Sequence, residues 1–572
     1  MSGLTPINGA LGTVRAKHLL KRLTFGPTAT QITQFAAMDC PSALHALFNN
    51  WIAPAPPSTP EGKIWVNTPP SEDEEDGDYE QYFKLWWLGQ MYQGKHSLEK
   101  LVFFLHTVIT TKQSTVGSSR ALYFQNALFR TYLLNDFSNT NVNFNRYPQF
   151  IKKICVDNAM LKFLDGQLNE IGRPNENFAR ELMELFSLGK GPTIAPGNYT
   201  NFSEMDIKQA AKVLTGWETD PTFATKDPDT LLPIGKPKLS GSVANRHDNT
   251  VKTFTSALGS PAPSVTPKTA LLTPKGEATA ESCQDELNQF IDLIYAKKEA
   301  AQHFCRKLYR FFVYYDITPA IESEIIEPLA ATFISSGFRI RTVLEQLCQS
   351  EHFFEAVAND TDDNKYGAII KSPLEITLGT LRYFNISLAV TDTAKFYMQL
   401  DTLLKAIEQM GLPLLEPYDV AGYEPYHQAP DYNRNWITTP TLANRYNFIR
   451  NLLKDDNGWG FWLDTLAWAE KPESGITDAM AITATTANGM DYALDLVTHV
   501  VSLLLPLPVL DDEITQARMH YFAEFHLGGL PFAGWKNNWV GRNSDPVKKD
   551  DTRSRLNNLL NALMQSPEYQ LF

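Results

Sequence analysis

NENFARELMELFSL, residues 175–188, spaces its apolar side chains as a helix does, not as a strand does. At about 100° per residue, Asn177, Arg180, Glu181, Glu184 and Leu188 fall in one arc of the helical wheel. Phe178, Leu182, Met183, Leu185 and Phe186 lie mainly opposite. Asn175 stands where an N-cap belongs, and Glu176 lies in the first turn, where an acid complements the helix dipole. Gly189 supplies a left-handed stop. The stretch predicts an amphipathic helix with one polar stripe.

Working outward, residues 204–216 repeat this design, again ending on a glycine. Upstream, FKLWWLGQMY and LEKLVFFLHTVITT are apolar on more than one face and predict buried helices. An opening helix runs from about residue 15 to 23 and breaks at Gly26-Pro27, where Thr28 and Gln31 form a capping box for the next helix. Helices resume over 282–315, 321–336, 339–354 and 373–384, the last fixed by Ser372 as N-cap, Pro373 at N1 and Glu375 at N3. Residues 218–280 are rich in Pro, Thr, Ser, Lys and Gly and predict loops with a hairpin.

The expected fold is therefore mainly α: a large multi-helix globular chain with a long loop-rich insertion and little sheet. The expected divisions are a helical segment (1–52), a Pro-rich and acidic linker (53–78) and a helical core with the polar-faced helix (79–217). The insertion (218–280), more helical core (281–410), an irregular segment (411–439) and a helical block (440–572) follow. The acidic run EDEEDGD at 72–78 reads as a solvated loop.

Of the 572 residues, 43% are hydrophobic and 20% charged, which suits a folded protein. Fifty-one basic against 64 acidic residues give a net charge of −13, a balance that repels a phosphate backbone. Nucleic acid is not an expected partner. The five cysteines, Cys40, Cys155, Cys283, Cys305 and Cys348, form no CxxC pair, so neither a zinc knuckle nor a disulfide framework is predicted. The most apolar run, around 495–510, is too short and too proline-broken to span a bilayer, so no transmembrane segment is expected. The first twenty residues lack a charged leader followed by an apolar stretch, and by sequence the chain reads as cytoplasmic.

The chemistry-bearing candidates start on the polar stripe. Glu181 and Glu184 are neighbours at i and i+3, and two adjacent carboxylates can divide acid and base roles or hold a divalent cation. The competing reading is a solvated face closed by an Arg180–Glu184 pair. Asn175 and Asn177 add amide ligands to the same stretch. His106, inside an apolar helix, reads as a core histidine or as a ligand, and Asp165 ends AMLKFLDG as a turn residue or a ligand. His247 beside Asp248 on a loop is an acid/base pair or simply a good turn sequence. No nucleophile elbow, P-loop, HExxH or dinucleotide fingerprint is present.

Taken in order, AKHLLKRLTFGPT, LEKLVFFLHTVITT, AMLKFLDGQ, PNENFARELMELFSLG, AAKVLTGWE, NRHDNTVKTF, RKLYRFFV, IKSPLEITLGTLR and PLLEPYDVAGYE…NWITTPTLANR resemble the bacterial family called domain of unknown function 1800. The matching stretches run from residue 16 to about 450. The resemblance implies a helical fold, export in many relatives, and genomic pairing with a secreted family that looks sulfatase- or phosphatase-like. It supplies no reaction. Many members have two histidines in a Trp-His-Asn-His-Phe pattern where this chain reads Leu105-His106-Thr107-Val108-Ile109, so a metal site needing both lacks one here. Many also have His at the position of Phe186.

Two functions follow as expectations. In the first, the chain is a partner-binding or assembly protein whose polar helix joins a structural buried network. In the second, it is a hydrolase-like or metal-assisted enzyme using the paired carboxylates of helix 175–188, with a divalent metal as the cofactor such a pair can hold.

Overall fold

The structure is a computed structural model that describes residues 3–68, 76–355, 369–487, 490–505, 513–527 and 532–572. The acidic residues Glu72–Glu75 and the end of the apolar run, 506–510, lie outside the described residues. Helix accounts for 57% of the chain and strand for 7%, so the protein is mainly α. All the described sheet is two-stranded and antiparallel: Thr193–Ala195 with Asn198–Tyr199, Trp217–Glu218 with Lys236–Pro237, Lys252–Thr253 with Ser264–Val265, and Thr485–Ala487 with Met490–Tyr492. Two of these pairs lie within or at the edge of the 218–280 segment, whose Pro-rich sequence keeps its strands to two residues. No helix among the described residues is long and apolar enough to cross a membrane.

The residues group into two units. The first comprises Met1–Ile7, Leu44–Phe353 and Leu414–Tyr432. At its centre lies the helix Leu98–Val108, buried along its whole length. Burial obliges its charged residues to find partners. Glu99 accordingly accepts from Arg130 at 2.6 Å and from the Trp87 indole at 3.0 Å. The helix Lys298–Phe312 buries Phe304, Cys305, Leu308, Phe311 and Phe312 on one face. Its other stripe, His303, Arg306, Lys307 and Arg310, follows the i, i+3, i+4, i+7 spacing and stays half-buried. Phe304 stacks on Phe333 with ring centres 4.8 Å apart and meets Tyr147 at 4.5 Å, which anchors that helix.

The second unit comprises Asn8–Ala43, Phe354–Pro413 and Asn433–Phe572. Its first helix is Gly12–Leu23, starting slightly before the sequence expectation. The predicted capping boxes of Thr28 with Gln31 and Ser372 with Glu375 both form. Leu19, Leu20 and Leu23, Leu374, Leu378 and Leu381, and Leu556, Leu559, Leu560 and Leu563 are all fully buried in this unit. Each such side chain contributes roughly 1.5–3 kcal/mol relative to exposure. All five cysteines are buried and free of disulfides.

Candidate functional site

The polar-faced helix departs from a regular α-helix at the point that matters. It is α-helical over Glu176–Glu181, with the Asn175 side chain accepting from the Asn177 amide as N-cap, and then widens into a π-turn over Leu182–Ser187. The Leu188 and Gly189 amides both reach back to the Met183 carbonyl at 3.0 Å, and the Ser187 hydroxyl bonds Leu182 O at 2.6 Å. In a regular helix the Gly189 amide would serve Leu185. Here the Leu185 carbonyl is freed, and it accepts from Lys307 Nζ at 2.6 Å and contacts His303 Nε2 at 3.1 Å. Gly189 makes this possible. Its φ is +71°, and a Cβ there would sit 2.6 Å from His303 Nδ1. Single π-turns inside α-helices recur at functional sites because they redirect side chains and release carbonyls.

The ion pairs on the stripe are not those expected from spacing. Arg180 turns away from Glu184 and makes a two-pronged pair with Glu204 at 2.6 and 2.7 Å, with Glu176 at 3.6 Å. Glu184 instead pairs with Lys190. Glu181 is left half-buried, and its carboxylate meets no hydrogen-bond donor among the described residues. Burial, and then the charge of Glu184, push its pKa up to about 7, while Lys190 and Arg180 partly oppose this. Asp419, on the irregular 411–439 segment, adds a further negative charge facing Glu181.

Three basic groups complete the neighbourhood. Burial and the charge of Arg310 lower Lys307 to about 7, and burial and the charge of Lys307 hold His303 down to about 3. His427 lies 3.7 Å from Asp419 and feels the Lys307 charge. Close to neutrality, then, Glu181 and Lys307 each exchange a proton readily, and His303 is a neutral imidazole. Sequence reasoning missed Lys190, His303, Lys307, Asp419 and His427. The only local signal was the polar 303/306/307/310 stripe on an otherwise apolar helix.

The other candidates lie elsewhere. His106 is buried between the Trp87 and Tyr423 rings, 5.5 and 6.1 Å away; burial lowers its pKa to about 4, and among the described residues its Nε2 has no hydrogen-bond partner. Asp165 is exposed with φ +56°, a turn residue whose carbonyl faces Asn175 Nδ2 at 3.5 Å. Asn177 is exposed. His247 and Asp248 belong to a separate, buried cluster. His247 Nδ1 lies 2.9 Å from Thr215 O and its Nε2 3.3 Å from Glu286, which also pairs with Lys252. Asp248 accepts from the Thr250 hydroxyl at 2.5 Å and holds the loop. Among the described residues no contact joins this cluster, His106 or Asp165 side chains to the Glu181 carboxylate. Nor does any group of three or more His, Cys, Asp or Glu among them have the geometry to hold a metal ion.

This combination, a mainly helical chain with a carboxylate pair at a π-turn, sits in a family without an assigned reaction. The chain belongs to the family described as protein of unknown function (DUF1800), which it matches over residues 18–571. No curated protein and no solved structure matches it.

Proposed function

We propose that the chain is an acid–base enzyme of hydrolytic type, with Glu181 as the proton-transferring group. The observation that carries this reading is a half-buried carboxylate beside a second one, without a hydrogen-bond donor among the described residues and pushed up to about 7. A general acid–base works best when its pKa lies near the operating pH. The negative charge of Glu184, partly offset by Lys190, helps to keep Glu181 protonatable. Lys307 and His427 supply nearby groups that can orient a polar substrate or water.

The test is a panel of chromogenic esters, phosphate esters and glycosides assayed with the wild-type protein and with Glu181→Gln. The proposal expects hydrolysis of one class, falling about 100-fold or more in the variant. Turnover that survives the substitution, or a panel with no turnover, counts against it.

A second reading, a partner-binding or assembly protein braced by a buried polar network, draws on the His247–Glu286–Lys252 cluster, whose side chains are fully buried. Under it the partner comes from the secreted sulfatase- or phosphatase-like family implied by the resemblance. Co-purification of a tagged chain with a candidate from that family is its direct check.

A further inference from the structure

The second unit contains a recess of about 40 Å³ lined by Lys21, Lys371, Glu375, Thr380, Tyr383 and Tyr569. One water needs roughly 10–15 Å³ measured in this way, so the space suits about three waters or one small ion. Its shape follows from two glycines. Gly26, at φ +107°, brings the turn after Gly12–Leu23 so close to Gly379 that a Cβ would lie 2.5 Å from the Gly379 Cα.

The charges around the recess are unbalanced. Lys17 donates to the carbonyls of Ser502, Leu503 and Leu505, at 2.8, 3.1 and 3.0 Å. Lys371 donates to Tyr569 O at 2.5 Å. Arg445 donates to Lys371 O at 2.9 Å and to the Gln570 amide at 3.3 Å. These are neutral acceptors, and among the described residues none of the three cations makes an ion pair. Glu375 is the acid that lines the recess. Lys21 differs from the other cations: it is half-buried on the lining, and among the described residues its ammonium has neither a hydrogen bond nor an ion pair. The Tyr383 hydroxyl, also on the lining, has no hydrogen-bond partner among them either.

We infer that this recess binds a small oxyanion, of the carboxylate or phosphate type, with Lys21 as its charge partner and Tyr383 as a second donor. Even partial burial of a cation without a partner costs free energy, and an anion that pairs with it offsets that cost. Burial and the charges of Lys371, Lys17 and Arg22 hold Lys21 well below the usual lysine range. Anion binding favours the ammonium over the neutral amine, so it is linked to proton uptake and weakens as pH rises.

The experiment is isothermal titration of the full chain with inorganic phosphate, sulfate and acetate, in two buffers of different ionisation enthalpy. The inference expects saturable one-to-one binding of at least one of these anions, with proton uptake and lower affinity at alkaline pH. Lys21→Gln should weaken it about tenfold or more. The preferred anion distinguishes a carboxylate from a phosphate ligand. Removing an uncompensated cation should leave the melting temperature unchanged or raised. Should that variant fail to fold, Tyr383→Phe and the proton uptake of the wild type decide the matter. Absence of saturable binding by all three anions, or affinity unchanged in a folded Lys21→Gln protein, overturns the inference.

Discussion

Glu181 carries opposite predictions for a structural and a catalytic role. Because its pKa in the folded protein is raised to about 7, the folded state holds the proton more tightly than the unfolded chain. Stability therefore falls as pH rises from the ordinary glutamate range through about 7. Glu181→Gln removes that loss. The variant should match wild type near pH ~4 and be more stable above pH ~7, by on the order of 1 kcal/mol after allowing for its solvent-facing part. Thermal melts across that range check it, and a sharp loss of stability at all pH values would mark Glu181 as a structural brace. His247 has a different pH window. Burial disfavours its charged form, but Cys283 and Glu286 outweigh burial and raise its pKa to about 9. Its stabilisation is fully present below the unfolded histidine value of about 6.5 and is lost as pH rises through about 9. We expect unfolding free energy to decline by on the order of 2 kcal/mol over that interval, and His247→Gln to erase most of the decline.

At the scale of the element, the π-turn is the feature that assembles the site. Gly189→Ala places a methyl against His303 and forces a non-glycine residue to φ +71°. It should destabilise the protein by on the order of 1–3 kcal/mol, read as a shift in denaturant midpoint. Glu181 and Glu184, neighbours at i and i+3, stand at the start of that turn. Glu184→Gln removes the second-largest cause of the raised Glu181 pKa, so that pKa should move down toward the usual carboxylate range. A Glu181 pKa unmoved in Glu184→Gln would mean that burial alone sets it.

Across the whole molecule, helices were legible wherever apolar periodicity and capping residues agreed. Thr28 with Gln31, Ser372 with Glu375, and Asn175 each cap as their side-chain chemistry dictates. The π-turn was not legible, because residues 182–187 carry helix-forming side chains and the alternative partners of the Leu185 carbonyl lie at positions 303 and 307. Spacing suggested an Arg180–Glu184 pair, yet Arg180 found a better two-pronged partner in Glu204 at the start of the next α-helix. Local i, i+4 pairs contribute only about 0.2–0.5 kcal/mol, too little to hold an arginine against such a competitor. His247 and Asp248 read as a loop pair, but Lys252 and Glu286 enclose that loop in a buried cluster. What sequence could reach was the stripe; what it could not reach was which of its residues stays without a partner. The most direct test is the carboxyl titration of Glu181 by carbon-13 NMR, with glutamate-labelled protein and Glu181→Gln to assign the signal. The account predicts a carboxyl titrating near 7. Titration in the ordinary glutamate range, about 4–5, would contradict it.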